Sequence, residues 1–562
     1  MRMKKSKVAI PTMLAVFSMA LLPVGSAMAA PISANPHVQL KGNEAVAASH
    51  GTLKSHKTSS DVVSVTLALN LRNADQLDAY IADLYTPTSA NYKKFLTPEQ
   101  FQAKFGPTAS DVQKVTDFAT ANGLSVTDVA KNNQSVTVSG TVQQLEAAFG
   151  VTINNYTNAK GESYFANANT PSVPSEIAGV INSVTGLNNE AIRHNHAGKP
   201  EATAPHVGSG PSGGYTPTEL RSAYDVAPLA STYDGTGQNV ALVEFDGYVQ
   251  SNITTYYNQY GLGSPTPKTV LVDNYNGAAG SGQGEVELDI EVINAIAPKA
   301  QVYVYEAPNS DKGELDMYQK IANDNTSKTV SISWGLCESQ SNSATMNSLH
   351  NILSQMAVQG QSVFAAAGDD GAYDCGSKKL DVDNPANDPY VTGVGGTNLT
   401  LSSGQYGAEK VWSNTTKKWG GGGGLSKVYK MPSWQTGPGV QNSYSTGYRQ
   451  VPDVSADADP NTGYSIYSAG SWTVFGGTSC AAPLWAGIAA VNNQYAEARG
   501  KASLGQANPT LYSLFNTAQP YNAYHDVTSG SNLYYPATSG YDLASGIGTP
   551  DVYNLIRDIN GL

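Results

Sequence analysis

Gly476-Gly477-Thr478-Ser479-Cys480-Ala481-Ala482-Pro483 presents one serine behind two glycines and a threonine. Small residues and Pro483 then lead into the apolar run 484–491. A tight turn of this kind exposes a hydroxyl, and a helix starting beside it aims backbone N–H groups at a nearby oxyanion. Ser479 therefore reads as a nucleophile at a loop-to-helix junction. A plain Gly-Thr-Ser turn capping a core helix would have the same letters, so the rest of the chain decides.

A serine hydroxyl is a poor nucleophile without a base. The chain has eight histidines: His37, His50, His56, His194, His196, His206, His350 and His525. Six lie in the N-terminal third. His350 falls in a segment with helical apolar spacing, and His525 follows a tyrosine near the C-terminus. Neither has a Gly-His-Gly-Thr-His setting, so a Ser-His-Asp triad is not expected. Carboxylates are the better candidates. Gly284-Glu285-Val286-Glu287-Leu288-Asp289-Ile290-Glu291 precedes an apolar run that ends at Pro298. On a helix, Glu285 and Asp289 share one face, and Glu287 and Glu291 form a second such pair. Adjacent carboxylates can share a proton and separate their pKa values. Like charges at this spacing are mildly destabilising, so two pairs in one stretch ask for a reason beyond the helix dipole.

Together these blocks resemble the sedolisin family of serine-carboxyl peptidases, most nearly its kumamolisin branch. The resemblance rests on Glu285-x-x-x-Asp289, on Ala365-Ala366-Ala367-Gly368-Asp369, on Gly477-Thr478-Ser479 with Pro483, and on Ser331-Ile332-Ser333-Trp334-Gly335. It runs from about residue 60 to the end. It implies that Ser479 attacks the scissile carbonyl and that Glu285 is general base, then general acid. Asp289 would tune Glu285, and Asp369 would join the Ser479 N–H in an oxyanion hole. An ionised carboxylate would repel an oxyanion, so Asp369 must be protonated, which predicts an acid optimum. Glu244 would extend the carboxylate network. Asp370 follows Asp369 directly, and glycine before the pair favours Asp369 as the one that faces the site.

The resemblance implies an α/β fold: a subtilisin-like catalytic domain with a largely parallel sheet, preceded by a ferredoxin-like α+β prodomain. The strand-like runs 240–244, 302–306, 329–333, 362–367 and 390–394 alternate with helical ones, which agrees. Residues 1–30 read as a cleaved secretion signal, with a basic start and a short apolar run broken by Pro11 and Pro23. The activation prodomain spans 31–189, of which about 31–59 reads as polar and irregular. Strand at 62–71, helices at 73–84 and 110–122, strands at 124–129 and 135–139, and a helix at 141–149 give a split βαβ pattern. Tyr92-Lys93-Lys94-Phe95-Leu96-Thr97-Pro98-Glu99-Gln100-Phe101, with Phe105-Gly106-Pro107, resembles the prodomain of kumamolisin-like zymogens. Residues 190–213 form a linker, with maturation cleavage expected near 195–214. His194, His196 and His206 would gain charge below about pH 6.5 and loosen the prodomain. The peptidase domain runs from 214 to 562.

The C-terminus resembles the family's calcium motifs. Asp526 and Asp542 would supply carboxylates, and Val527, Thr538 and Gly540 carbonyls, to one structural Ca2+. The glycine-rich run 419–424 is open to two readings, a groove rim or an autolysis-prone loop. The net charge of −12 at pH 7, with no basic patch, argues against nucleic acid. Cys337 and Cys375 can pair in a secreted protein, leaving Cys480 free, but the sequence leaves the pairing open. The expected partners are protein or peptide substrates and the chain's own prodomain as inhibitor. No nucleic acid or membrane partner is expected after signal cleavage, and a monomer is expected. A secreted acid endopeptidase made as a zymogen is thus the leading function. A tripeptidyl exopeptidase of the same family and a non-catalytic secreted binding protein are the alternatives.

Overall fold

The computed structural model describes residues 36–199, 207–376 and 378–561. The expected signal segment and His206 lie outside the described residues.

The prodomain holds a four-stranded antiparallel sheet: β1 (Val62–Leu69), β2 (Ser125–Val129), β3 (Ser135–Thr141) and β4 (Ile181–Thr185). Their order is β2-β3-β1-β4, which is the ferredoxin-like arrangement expected. Helices α1 (Ala74–Leu84), α2 (Ala109–Ala121) and α3 (Val142–Phe149) join the strands. Thr108 and Thr141 cap α2 and α3, each accepting the third residue's N–H. Val63, Val65, Leu67 and Leu69 of β1 pack with Val115, Phe118, Leu145 and Phe149 in one core. One expectation is corrected here. Residues 31–59 are not irregular throughout: Gly51–His56 is a strand paired with Ile153–Asn158, which pairs in turn with Ser163–Asn167. Its side chains are almost all exposed, so no apolar alternation marked it in the sequence.

The peptidase domain is built on an eight-stranded sheet. Its strands are β5 (Asn239–Glu244), β6 (Lys268–Leu271), β7 (Gln301–Glu306), β8 (Thr329–Ile332), β9 (Ser362–Ala366), β10 (Thr392–Ser402), β11 (Gln405–Val411) and β12 (Val454–Asp457). The order is β6-β7-β5-β8-β9-β10-β11, with β12 also on β10. Every pairing is parallel except β10 with β11. Helices cover both faces, so the central strands are apolar on both sides. One layer contains α4 (Gln283–Ile296) and α7 (Thr478–Glu497); the other contains α5 (Asp311–Asp324) and α6 (Ser343–Val358). The parallel strands release their C-terminal ends at one edge, where ligands of such sheets bind. Glu244, Ser333 and Asp369 stand at the ends of β5, β8 and β9.

The prodomain sits on the α5/α6 face. Thr66 donates to Asp316 at 3.0 Å, and Asn132 and Gln134 donate to Gln355 at 2.7 and 2.6 Å. Leu77, Ile81, Leu84 and Tyr85 pack against Ala357 and Val358. From this seat the chain after residue 189 enters the strand-end edge. Cys337 and Cys375 are disulfide-bonded, and Cys480 is buried and free.

Candidate active site

Ser479 is the second residue of α7 and is fully buried. The helix begins at Gly477, whose φ of 101° suits glycine. A Cβ there would overlap the His196 carbonyl and the Asp369 carboxylate, so both groups crowd the space that the glycine leaves. Gly477 has no side chain to cap the helix. Asp369 does so from the loop after β9: its Oδ1 accepts from the Thr478 N–H at 2.8 Å and from the Thr478 hydroxyl at 2.9 Å. Pro483 lacks an N–H, so the Ser479 carbonyl is left without its intrahelical donor, and the Ser333 hydroxyl lies 3.5 Å from it.

Glu285 and Asp289 lie one turn apart on α4, both buried. The helix start is fixed from outside, because Asp246 accepts the N–H groups of Gly247, Gly280 and Gly282 at 2.5–2.7 Å. Asp289 Oδ1 accepts the Ser333 hydroxyl at 2.8 Å. Burial pushes Glu285 well above the ordinary carboxylate range, against the pull of the nearby Ser479 and Ser333 hydroxyls. Neither Glu285 oxygen has a partner at hydrogen-bonding geometry. Burial, followed by the charges of Glu244 and Glu285, likewise raises Asp289. Glu244 accepts the Trp334 indole N–H at 2.8 Å, and burial lifts its pKa to about 8. Three enclosed carboxyls so close together cannot all ionise, so the cluster holds protons as a unit. Glu287 and Glu291 do other work. Glu287 accepts from the Val249 N–H and Asn252, and Glu291 from the Tyr467 N–H. The second acidic pair therefore anchors neighbouring segments and stays out of the site.

Burial raises Asp369 to about 7, opposed by His196 and the Thr478 donors. Of the aspartate doublet, Asp370 forms a backbone bridge with Gly420, and Asp369 is the one whose carboxylate meets Thr478. The glycine-rich run is not an exposed, autolysis-prone loop. Gly420–Gly423 is buried, Gly422 N–H donates to the Gly368 carbonyl at 2.7 Å, and a Cβ at Gly422 would strike the Ala367 carbonyl. These glycines let one backbone press against the segment that carries Asp369.

Residues 193–198 run across the site, with His194–Asn195 as a short strand. His194 and Asn195 pair antiparallel with Gly335 and Trp334. The His196 N–H donates to the Ser333 carbonyl at 3.1 Å, and the His196 carbonyl accepts the Ser479 N–H at 3.2 Å. Gly198 and Gly476 exchange both backbone hydrogen bonds, at 2.9 and 2.8 Å. This part of the expected 190–213 linker is thus held by backbone hydrogen bonds to the peptidase domain. A sequence reading that sees only Ala, Gly, Pro and His there has no signal for a strand that needs a second segment to form. His196 itself is buried, with Nε2 3.4 Å from Asp383. The parts played by Ser333, Trp334 and Thr478 were likewise not read from the sequence, although the first two fall inside the quoted block 331–335.

At the C-terminus, Asp526 accepts the Gly540 N–H at 3.1 Å and the Ser539 hydroxyl at 3.1 Å. Asp542 accepts the N–H groups of Thr538, Ala544 and Ser545 at 2.8–2.9 Å. Asp526 and the loop 538–542 thus meet, and the expected donors are all oxygens, which suits a hard cation. The cluster Cys337, Cys375 and Asp381 does not suit a metal, because its two sulfurs are bonded to each other.

The description "Pro-kumamolisin, activation domain" matches residues 49–190, and "Subtilase family" matches 273–528. Kumamolisin of Bacillus sp. (strain MN-32) is 34% identical over 517 residues, covering 88% of this chain and 91% of its own. Sedolisin of Pseudomonas sp. (strain 101) is 31% identical, covering 88% and 86%. Tripeptidyl-peptidase 1 of Rattus norvegicus is 25% identical, covering 88% and 91%. Among solved structures, Pseudomonas sedolisin (serine-carboxyl proteinase), complexed with two molecules of pseudo-iodotyrostatin, superimposes with a TM-score of 0.56 at 30% identity. It covers 63% of this chain and 99% of that one.

Proposed function

Because the chain belongs to the serine-carboxyl peptidase family of kumamolisin and sedolisin, we propose that it is an acid-active endopeptidase, secreted as a zymogen, that cuts itself between His196 and Ala197. The observation that carries this reading is the His196 carbonyl, held at 3.2 Å by the N–H of the very serine that would attack it.

Ser479 Oγ adds to the His196 carbonyl carbon, and Glu285 takes the hydroxyl proton. The resulting oxyanion accepts from the Ser479 N–H and from protonated Asp369. The tetrahedral species collapses, and Glu285 returns its proton to the Ala197 nitrogen as that amine leaves. Water then repeats the sequence on the acyl-serine. Asp289, bonded by Ser333 and beside Glu244, holds a proton within the carboxyl cluster, so that Glu285 is the member left to take up the serine proton. A histidine base would be protonated and idle in acid.

The chain crosses the site without a break from Arg193 to Gly198, as a self-cut there requires, and an end-blocked peptide tells an endopeptidase from a tripeptidyl-peptidase. Asp526 and Asp542, with the carbonyls of Val527, Thr538 and Gly540, would hold one Ca2+. Bound there, the ion supplies a cross-link between loops and takes no part in hydrolysis. The test is casein hydrolysis from about pH 2 to pH 8 by acid-treated protein and by Ser479→Ala. Acid-only activity that vanishes in the variant supports the reading, whereas a neutral optimum contradicts it.

A further inference from the structure

We infer that Asn309, Asp311 and Glu314 form a subsite for an arginine four residues before the scissile bond, so that the mature enzyme favours protein substrates carrying Arg there. This rests on reading residues 193–198 as a chain seated like substrate. Counting back from His196, that fourth residue is Arg193.

Its backbone is read from both sides: the Arg193 N–H donates to Asn309 Oδ1 at 2.8 Å, and Asn309 Nδ2 donates to the Arg193 carbonyl at 2.9 Å. Its guanidinium Nη2 lies 2.7 Å from Asp311 and 2.5 Å from Glu314. The Arg193 side chain is 3% exposed and that of Glu314 2%, so the ion pairs are enclosed. All three partners come from the end of β7 and the start of α5, within the peptidase domain. Ser310 caps α5 by accepting the Gly313 N–H at 3.1 Å, which fixes Asp311 and Glu314 on the first turn. The prodomain body supplies none of these contacts to the guanidinium. Departure of the prosegment therefore takes the cation away from both carboxylates. An incoming arginine restores the charge-assisted bonds, whereas an apolar side chain leaves the acids unpaired.

The experiment compares two quenched-fluorescent peptides on the acid-processed mature enzyme. One carries the natural residues around His196–Ala197, and the other has norleucine in place of Arg193. The arginine peptide is expected to show a kcat/KM about tenfold or more higher, because its guanidinium makes charge-assisted bonds that norleucine lacks. The Asp311→Asn/Glu314→Gln double variant is expected to bring the ratio close to one. Equal rates on the wild-type enzyme, which need no variant to fold, would overturn the subsite. Cleavage of neither peptide would overturn it as well. Casein then separates the two readings, because uncut casein removes the peptidase assignment and digested casein leaves it standing.

Discussion

Replacing Asp369 by alanine tests whether this carboxyl works as an oxyanion donor. The side chain makes two kinds of contact. Oδ1 accepts the Thr478 N–H and hydroxyl at 2.8 and 2.9 Å, and the Gly477 gap lets Oδ2 approach the same space as the His196 carbonyl. Losing the first leaves a helix N-terminal N–H without its acceptor, which costs about 1–3 kcal/mol of stability. Losing the second removes one of two donors to the developing oxyanion, which is expected to lower kcat about 10²–10³-fold, or about 2.7–4 kcal/mol. KM should change little, because the donor acts on charge that appears only in the transition state. The assay is peptide hydrolysis at about pH 4, with a urea titration of the same protein to separate the two effects. A kcat within about threefold of wild type would refute the oxyanion role. A fall in stability alone would reduce Asp369 to a helix cap.

Ser333→Ala removes the 2.8 Å bond to Asp289, and kcat is expected to drop about tenfold with a shifted acid limb in the pH–rate profile. An unchanged profile would show that Ser333 only fills space. Burial raises Asp369 from 3.8 to about 7, and Glu244 and Glu306 from 4.5 to about 8. The folded state thus holds these protons more tightly than the unfolded chain, so their stabilisation is full below about pH 4 and is lost as pH rises through about 7–8. The urea midpoint of Ser479→Ala should therefore fall between pH 4 and pH 8 by the equivalent of a few kcal/mol, and a midpoint that rises would contradict the sign. Chelation should lower the melting temperature of the wild type and have little further effect on Asp526→Asn, if the loop 538–542 holds Ca2+.

Much of the site was legible because the chemistry is written in short blocks. Glu285 and Asp289 announce themselves as two acids one helical turn apart. Ser479 is marked by the glycines that let its helix begin so close to another backbone. The largely parallel sheet followed from strand runs, such as 240–244 and 362–367, that alternate with helical ones. What stayed hidden depends on pairing at a distance. The strand Gly51–His56 buries almost nothing, so its pattern carries no alternation. Residues 193–198 look like linker filler until Trp334, Gly335 and Gly476 supply their hydrogen bonds. Ser333 and Thr478 are short hydroxyls in runs of small residues, and nothing in their spacing says that one holds Asp289 and the other Asp369. The two acidic pairs of α4 are alike in sequence and part only in the fold, where Glu287 and Glu291 meet backbone N–H groups of other segments.

The most direct measurement is the mass and N-terminal sequence of the first product formed when purified full-length protein is brought to about pH 4, with Ser479→Ala treated in parallel. The account predicts a first fragment that begins at Ala197, formed at a rate independent of protein concentration, and no fragment from the variant. A first cut elsewhere, or a variant that is cut at the same bond at the same rate, would contradict it.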